Sequence, residues 1–253
     1  MKRMFAGIVC AVLFAVPCRA ERVPILMYHD ISEARTGDYS VTPVRFEEHL
    51  AALENAGYHT ITFADLMDYV YFGGNLPDSP VLLTFDDGYD GVFSSAAEIA
   101  ARHGMTLSCA VIGSLVGQNG HFPLTDVPDN MEIVSHTFAL HDRPGWDGAV
   151  CPDADLLRYE QILTEDAEAM RQTCGEAFPC AASVLIYPHG RFSAESERVF
   201  RSLGYTVTVT CGTGIADVRR GEPESLYTLP RISVWQNTTA EELMSAIAYK
   251  KGS

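Results

Sequence analysis

Basic residues are scarce in this chain of 253 residues: 18 Lys and Arg stand against 33 Asp and Glu, a formal charge of −15. A surface that negative repels nucleic acid, and no basic stripe argues otherwise. It also disfavours strongly anionic polymers as substrates, whereas neutral glycans are compatible. No Gly-x-Gly-x-x-Gly follows the first strand-like run, so dinucleotide binding has no support. The absence of any Cys-x-x-Cys pair excludes the usual zinc knuckles and dithiol redox motifs. There are no long-period repeats, no low-complexity tract and no heptads, so nothing points to an obligate protein partner. After residue 20, no apolar run is long enough to cross a bilayer as a helix.

The one long apolar run stands at the start. Lys2 and Arg3 precede it, it extends from Met4 to Val16, and Cys18-Arg19-Ala20 offers small residues at the positions a signal peptidase reads. Residues 1–20 are therefore expected to be a secretory signal peptide, too short and wrongly flanked for a mature anchor. Lipidation at Cys18 fits poorly, because Val16-Pro17 precedes it. Losing Lys2, Arg3 and Arg19 takes the formal charge from −15 to −18. The expected product is a soluble exported protein, periplasmic or secreted, with one domain over 21–253.

Five cysteines remain in that product: Cys109, Cys151, Cys174, Cys180 and Cys211. Export permits disulfides, and a Cys174–Cys180 bridge would close a short loop. The odd count leaves at least one thiol over. Cys109 and Cys211 lie in apolar runs and read as core residues.

Strand-like and helix-like segments alternate along the whole chain. Strands are expected at 23–28, 59–63, 81–85, 106–112, 132–135, 183–187, 205–210 and 229–234. Thr42-Pro43 opens a helix that stops at Gly57, Thr62 and Asp65 form a capping box, and Thr239 with Glu242 caps the last helix. Further helices are expected over about 92–103, 155–172 and 193–203. Such alternation argues a parallel sheet with crossover helices, and the length and number of units suit an irregular β/α barrel.

Val81-Leu82-Leu83-Thr84-Phe85 is a buried-strand pattern that ends in Asp86-Asp87-Gly88. Carboxylates at the carboxyl end of a barrel strand stand where such folds build active sites. Two adjacent ionised carboxylates repel, and a cation relieves them. A second element, Ser135-His136-Thr137-Phe138-Ala139-Leu140-His141, puts two imidazoles at a strand end and its loop. With Asp87 they make three ligands of a catalytic zinc type, and Thr137 is placed to hydrogen-bond one of them. A third, Ile186-Tyr187-Pro188-His189-Gly190, closes a strand with a proline turn.

In this order the three elements resemble the polysaccharide deacetylase family, also called NodB-homology or carbohydrate esterase family 4. Thr84-Phe85-Asp86-Asp87-Gly88 is similar to its first motif, and His136-Thr137 through His141 to its histidine motif. The five-residue histidine spacing and the opening Val23-Pro24-Ile25-Leu26-Met27-Tyr28-His29-Asp30 resemble the branch acting on biofilm poly-N-acetylglucosamine. The turn at 187–190 and Leu229-Pro230-Arg231-Ile232 fit that branch as well. The resemblance implies an irregular (β/α) barrel, an N-acetylated glycan substrate and a divalent metal on Asp87, His136 and His141. Zinc heads the list of metals; cobalt, nickel, iron and manganese suit the same ligands. It implies Asp86 as general base and places Tyr187 and His189 at the substrate, with the backbone N–H of His189 on the oxyanion.

Two departures matter. Residues 229–234 lack the C-terminal histidine of many relatives, so His29, at the first strand end, is the expected general acid. The arginine that usually precedes the third motif is also absent, and Arg231 is the candidate partner for Asp86. Trp146 and Trp235 are candidate platforms for a sugar ring. An O-acetyl esterase, a small-amide hydrolase, or a glycan-binding protein that has lost turnover would carry the same motifs.

Overall fold

A computed structural model describes residues 20–35, 37–118, 120–151 and 155–252. The expected signal peptide lies outside the described residues, save for Ala20. Among these residues eight parallel strands form the central sheet: β1 Ile25–Tyr28, β2 His59–Ile61, β3 Pro80–Phe85, β4 Leu107–Val111, β5 Met131–Ser135, β6 Val184–Ile186, β7 Val207–Thr213 and β8 Leu229–Ser233. Seven of them close into a ring in the order β1-β8-β7-β6-β5-β4-β3, with β3 returning to β1. The remaining strand, β2, lies along the first half of β3.

Burial explains the composition of the strands. Residues of β1, β3 and β4 are inaccessible on both faces, which is why they read as unbroken apolar runs. One set fills the ring: Ile25, Leu82, Ala110, Val134, Ile186, Val209 and Leu229 belong to a single cluster drawn from all seven strands. Their neighbours, among them Leu26, Leu83, Cys109 and Ile133, face out under the helices.

Among the described residues six α-helices flank the ring: α1 Pro43–Asn55, α2 Phe63–Met67, α3 Ala97–Arg102, α4 Leu156–Cys174, α5 Ala194–Ser202 and α6 Ala240–Gly252. Their starts follow the sequence. The Thr42 side chain accepts from Arg45 N, Thr62 and Asp65 cap each other, and Thr239 and Glu242 do the same.

Three expectations are corrected. The strand expected from Val23 is interrupted at Pro24, and Ala20–Val23 instead pairs antiparallel with Ala216–Arg219. All five described cysteines are free thiols. Cys174 packs in the outer cluster and Cys180 against the one inside the ring, so burial separates the expected pair. Cys211 is only partly buried and lies at the mouth of the ring, beside Met27 and Arg231.

The ring is unevenly stitched. β4 and β5 share five paired positions, whereas β5 and β6 share one, Ser135 with Leu185. The His136 side chain spans that thin seam, its Nδ1 lying 2.8 Å from the Ile186 carbonyl oxygen.

On the outside, His103 ties α3 to α1, with Nδ1 2.7 Å from Glu54 and Nε2 3.0 Å from Glu47. The bond to Glu54, with that to Glu47, raises the His103 pKa despite partial burial. A raised folded value means stability that is present below about pH 6.5 and lost as pH rises through the folded pKa. The melting-temperature gap between wild type and His103→Gln is therefore expected to narrow from pH 6 to pH 8.5, to be followed by circular dichroism.

Candidate active site

The carboxyl ends of β1, β3, β5 and β8, with the turn after β6, meet around a cleft of about 480 Å³. Its lining includes His29, Asp86, Asp87, His136, His141 and His189. Each of the three motifs turns there through a left-handed non-glycine residue: Asp87 at φ 75°, Thr137 at φ 68° and His189 at φ 55°. Strain of this kind collects where a side chain must be aimed against the preference of its backbone. Gly88 (φ 82°) lets the first turn pass Val111, where an added Cβ would lie 3.1 Å from a methyl.

Asp87 Oδ1 lies 3.5 Å from His136 Nε2 and 3.4 Å from His141 Nε2. Since a carbonyl oxygen only accepts, His136 Nδ1 carries the proton that it donates to Ile186. Burial lowers the pKa of His136 against the pull of Asp86 and Asp87 and favours its neutral form. Its Nε2 lone pair then faces a carboxylate oxygen that is buried and has no hydrogen-bond partner among the described residues. Two lone pairs opposed at that distance call for a cation between them, and one donor each from Asp87, His136 and His141 fall within 4.8 Å of one another. The residues fit a divalent metal.

Asp86 points into the ring. Burial alone would push its carboxyl up, but the charge of Arg231 and its two hydrogen bonds hold it well below the usual carboxylate range. The pair is bidentate, Arg231 Nη1 to Oδ1 at 2.7 Å and Nη2 to Oδ2 at 2.8 Å. Arg231 is itself fully buried and donates further to Thr84 Oγ1 and the Thr210 carbonyl.

His29 stands at the end of β1 with its ring 4.4 Å from that of Tyr39, which lies 5.0 Å from Trp235. Tyr39 and Trp235 are about half exposed and form one wall of the cleft. Trp146 does not line it; it stacks on Tyr159. His189 lines the cleft, with Nε2 3.1 Å from the His141 carbonyl.

Two expectations fail on direction. The Tyr187 side chain turns away from the cleft into the cluster under α4 and α5, where its hydroxyl donates to Glu197 at 2.8 Å. Strand alternation gives the reason: Ile186 faces into the ring, so its neighbour faces out. Thr137 does not bond a histidine ring; its Oγ1 accepts from Leu140 N within its own loop.

Sequence reasoning missed the residue that holds that loop. Asp166, buried on α4, accepts from Phe138 N and Ala139 N, both at 2.8 Å, between the two histidines. Burial pushes its carboxyl up to about 6, against the pull of those two donors. The signal was there: Asp166 falls on the buried stripe of Leu163, Ala167 and Met170, where an acid needs partners. Tyr89, two residues beyond Asp87, was also missed; burial, with the Asp87 charge beside it, pushes its pKa up to about 12.

Two carboxylates and paired imidazoles at the strand ends of a closed parallel barrel make a hydrolase-type site, and the comparisons supply its class. The chain belongs to the polysaccharide deacetylase family, whose sequence profile matches residues 73–208, just over half of it. It is 27% identical over 217 residues to YxkH of Bacillus subtilis (strain 168), named a polysaccharide deacetylase, covering 84% of this chain and 71% of that one. It is 23% identical over 243 residues to the poly-beta-1,6-N-acetyl-D-glucosamine N-deacetylase of Escherichia coli O157:H7. That match covers 82% of this chain and spans only 35% of the relative. Among solved structures, IcaB from Ammonifex degensii superposes with a TM-score of 0.73 at 18% identity, covering 89% of this chain and 97% of that one. A Streptococcus pyogenes deacetylase, PplD, superposes at 0.71 and 20% identity, covering 90% and 99%. These structures share the fold.

Proposed function

We propose that this protein is an exported, metal-dependent hydrolase that removes N-acetyl groups from a neutral glycan of the poly-N-acetylglucosamine or chitin-like type. One observation carries the reading: the lone-pair face-off of Asp87, His136 and His141 opens on the same cleft as an Asp86 kept ionised by Arg231. Zinc is the first choice for that donor set. A divalent ion held by those three side chains supplies Lewis acidity, making water more acidic and a carbonyl more electrophilic. Asp86 takes the proton of the attacking water, and its ion pair fixes the direction of its free lone pairs. His29 protonates the departing amine from the opposite wall, and the backbone at His189 supports the oxyanion. Tyr39 and Trp235 offer aromatic faces to sugar rings. Export rests on the expected signal peptide, and no helix among the described residues is long and apolar enough to cross a membrane.

Acetate release from N-acetylglucosamine oligomers tests the reading. Chelation and Asp87→Ala are each expected to abolish release, and a divalent metal restores it only in the chelated wild type. Release that survives both treatments sinks the metal-dependent mechanism. His29→Ala is expected to slow amide hydrolysis by about 10²–10⁴-fold and to spare ester hydrolysis, since an amine leaves only once protonated. Equal losses on N-acetyl and O-acetyl substrates would remove His29 from the acid role.

A further inference from the structure

The His141 imidazole has two working edges. Nε2 faces Asp87 inside the donor set already described. Nδ1, on the other edge of the ring and itself buried, lies 3.2 Å from Asp142 Oδ1 and has no hydrogen-bond partner among the described residues. On that outer side stands His189, its ring 4.4 Å from the His141 ring. His189 Nε2 meets the His141 carbonyl, which only accepts, so in the neutral ring Nδ1 is the free lone pair. One donor atom from each of His141, Asp142 and His189 lies within 4.8 Å of the others, a second such set among the described residues.

We propose that His141, Asp142 and His189 form an outer divalent-cation site that shares the His141 ring with the inner one. Two ring nitrogens and a carboxylate oxygen are a zinc-type donor set, with room for water as the fourth ligand. Asp142 brings the negative charge, and the strongly acidic chain favours cations at its surface. Filling the site replaces the Nδ1 proton of His141, which leaves to solvent, so the ring binds one cation through each nitrogen. The inner set is buried and the outer one exposed, so the inner fills first. An ion outside ties His141 to His189 across the mouth of the cleft that both line, and zinc in excess thereby blocks substrate. That last consequence rests on the deacetylase reading; the site itself does not.

Equilibrium dialysis of the metal-stripped protein against zinc, read as zinc per chain, tests the site. Wild type is expected to take up two ions and Asp142→Asn and His189→Asn one each. Asparagine tolerates the left-handed backbone at 189, and both positions are exposed, so the fold survives either change. Asp87→Ala is expected to keep one ion and to lose it when His189→Asn is added. Acetate release over the same range should rise with the first equivalent and fall several-fold with the second, and Asp142→Asn should not show the fall. A wild-type chain that stops at one ion, as it would if Asp142 merely orients His141, overturns the proposal. Two ions retained by both outer variants do so as well. Stoichiometry is read whether or not acetate is released, so failure of this site and failure of the deacetylase reading are told apart.

Discussion

Replacing Arg231 by Met is expected to cost about 3–5 kcal/mol of folding stability, among the largest effects of any single change in this chain. The guanidinium is wholly buried in the barrel, and its loss strands the Asp86 carboxylate there without a counter-charge. Restoring neutrality tests this account: adding Asp86→Asn to Arg231→Met should recover most of the loss without recovering activity. The pH dependence should change sign as well. In wild type, Arg231 overcomes burial and depresses the Asp86 pKa, so the pair contributes stability above the unfolded value of about 3.9 and loses it as pH falls further. In Arg231→Met burial outweighs the weaker pull of His136 and His29 and raises that pKa, so stability should fall as pH rises through about 4 to 7. Urea unfolding across that range reads both effects. A loss under about 1 kcal/mol would show that water reaches the pair and screens it.

Asp166→Ala is expected to weaken zinc binding about 10–100-fold while leaving every ligand in place. The carboxylate is the acceptor for Phe138 N and Ala139 N, and those two bonds set the path of the chain between His136 and His141. Without it two backbone donors lose their partner, at about 1–3 kcal/mol each where water cannot reach them. Asp166→Asn keeps one acceptor oxygen but presents an amide N–H₂ to the other donor, so it should fall between. Competition against a chelator measures the affinity, and near-ultraviolet circular dichroism reports whether the core is intact. Unchanged affinity in Asp166→Ala would mean that the loop holds its shape by its own turn alone, through Thr137 and Leu140.

The parts of the site legible in the sequence are those set by local pattern. Asp86, Asp87, His136, His141 and His29 all stand where an apolar run stops, and a strand of a parallel barrel delivers its last residues to one rim. The barrel was legible for the same reason, because strands buried on both faces leave uninterrupted apolar runs. What escaped notice depends on facing. Tyr187 follows Ile186, and only the closed ring decides which of the two looks inward. Asp166 acts across the fold on the histidine loop, so no short motif contains both partners, whereas Tyr89 lies just past the end of Asp86-Asp87-Gly88 and nothing in that local pattern marks it. Cys211 reads as core from its neighbours, yet it sits where β7 reaches the rim, and Gly190 presses on it so closely that a Cβ there would lie 2.5 Å from Cys211 N. Pro24 was readable as a break, and the antiparallel pair before it was not.

The thin join between β5 and β6 gives His136 a second duty. A hoop is as strong as its fastening, and here the clasp is a side chain whose other nitrogen faces Asp87 and His141. The ring that offers that nitrogen also carries the clasp, so ligand binding and the β5–β6 join meet at opposite edges of one imidazole. Variants of His136 would therefore be leaky hoops as well as poor binders, with protection lost first along the two strands that the ring buckles together.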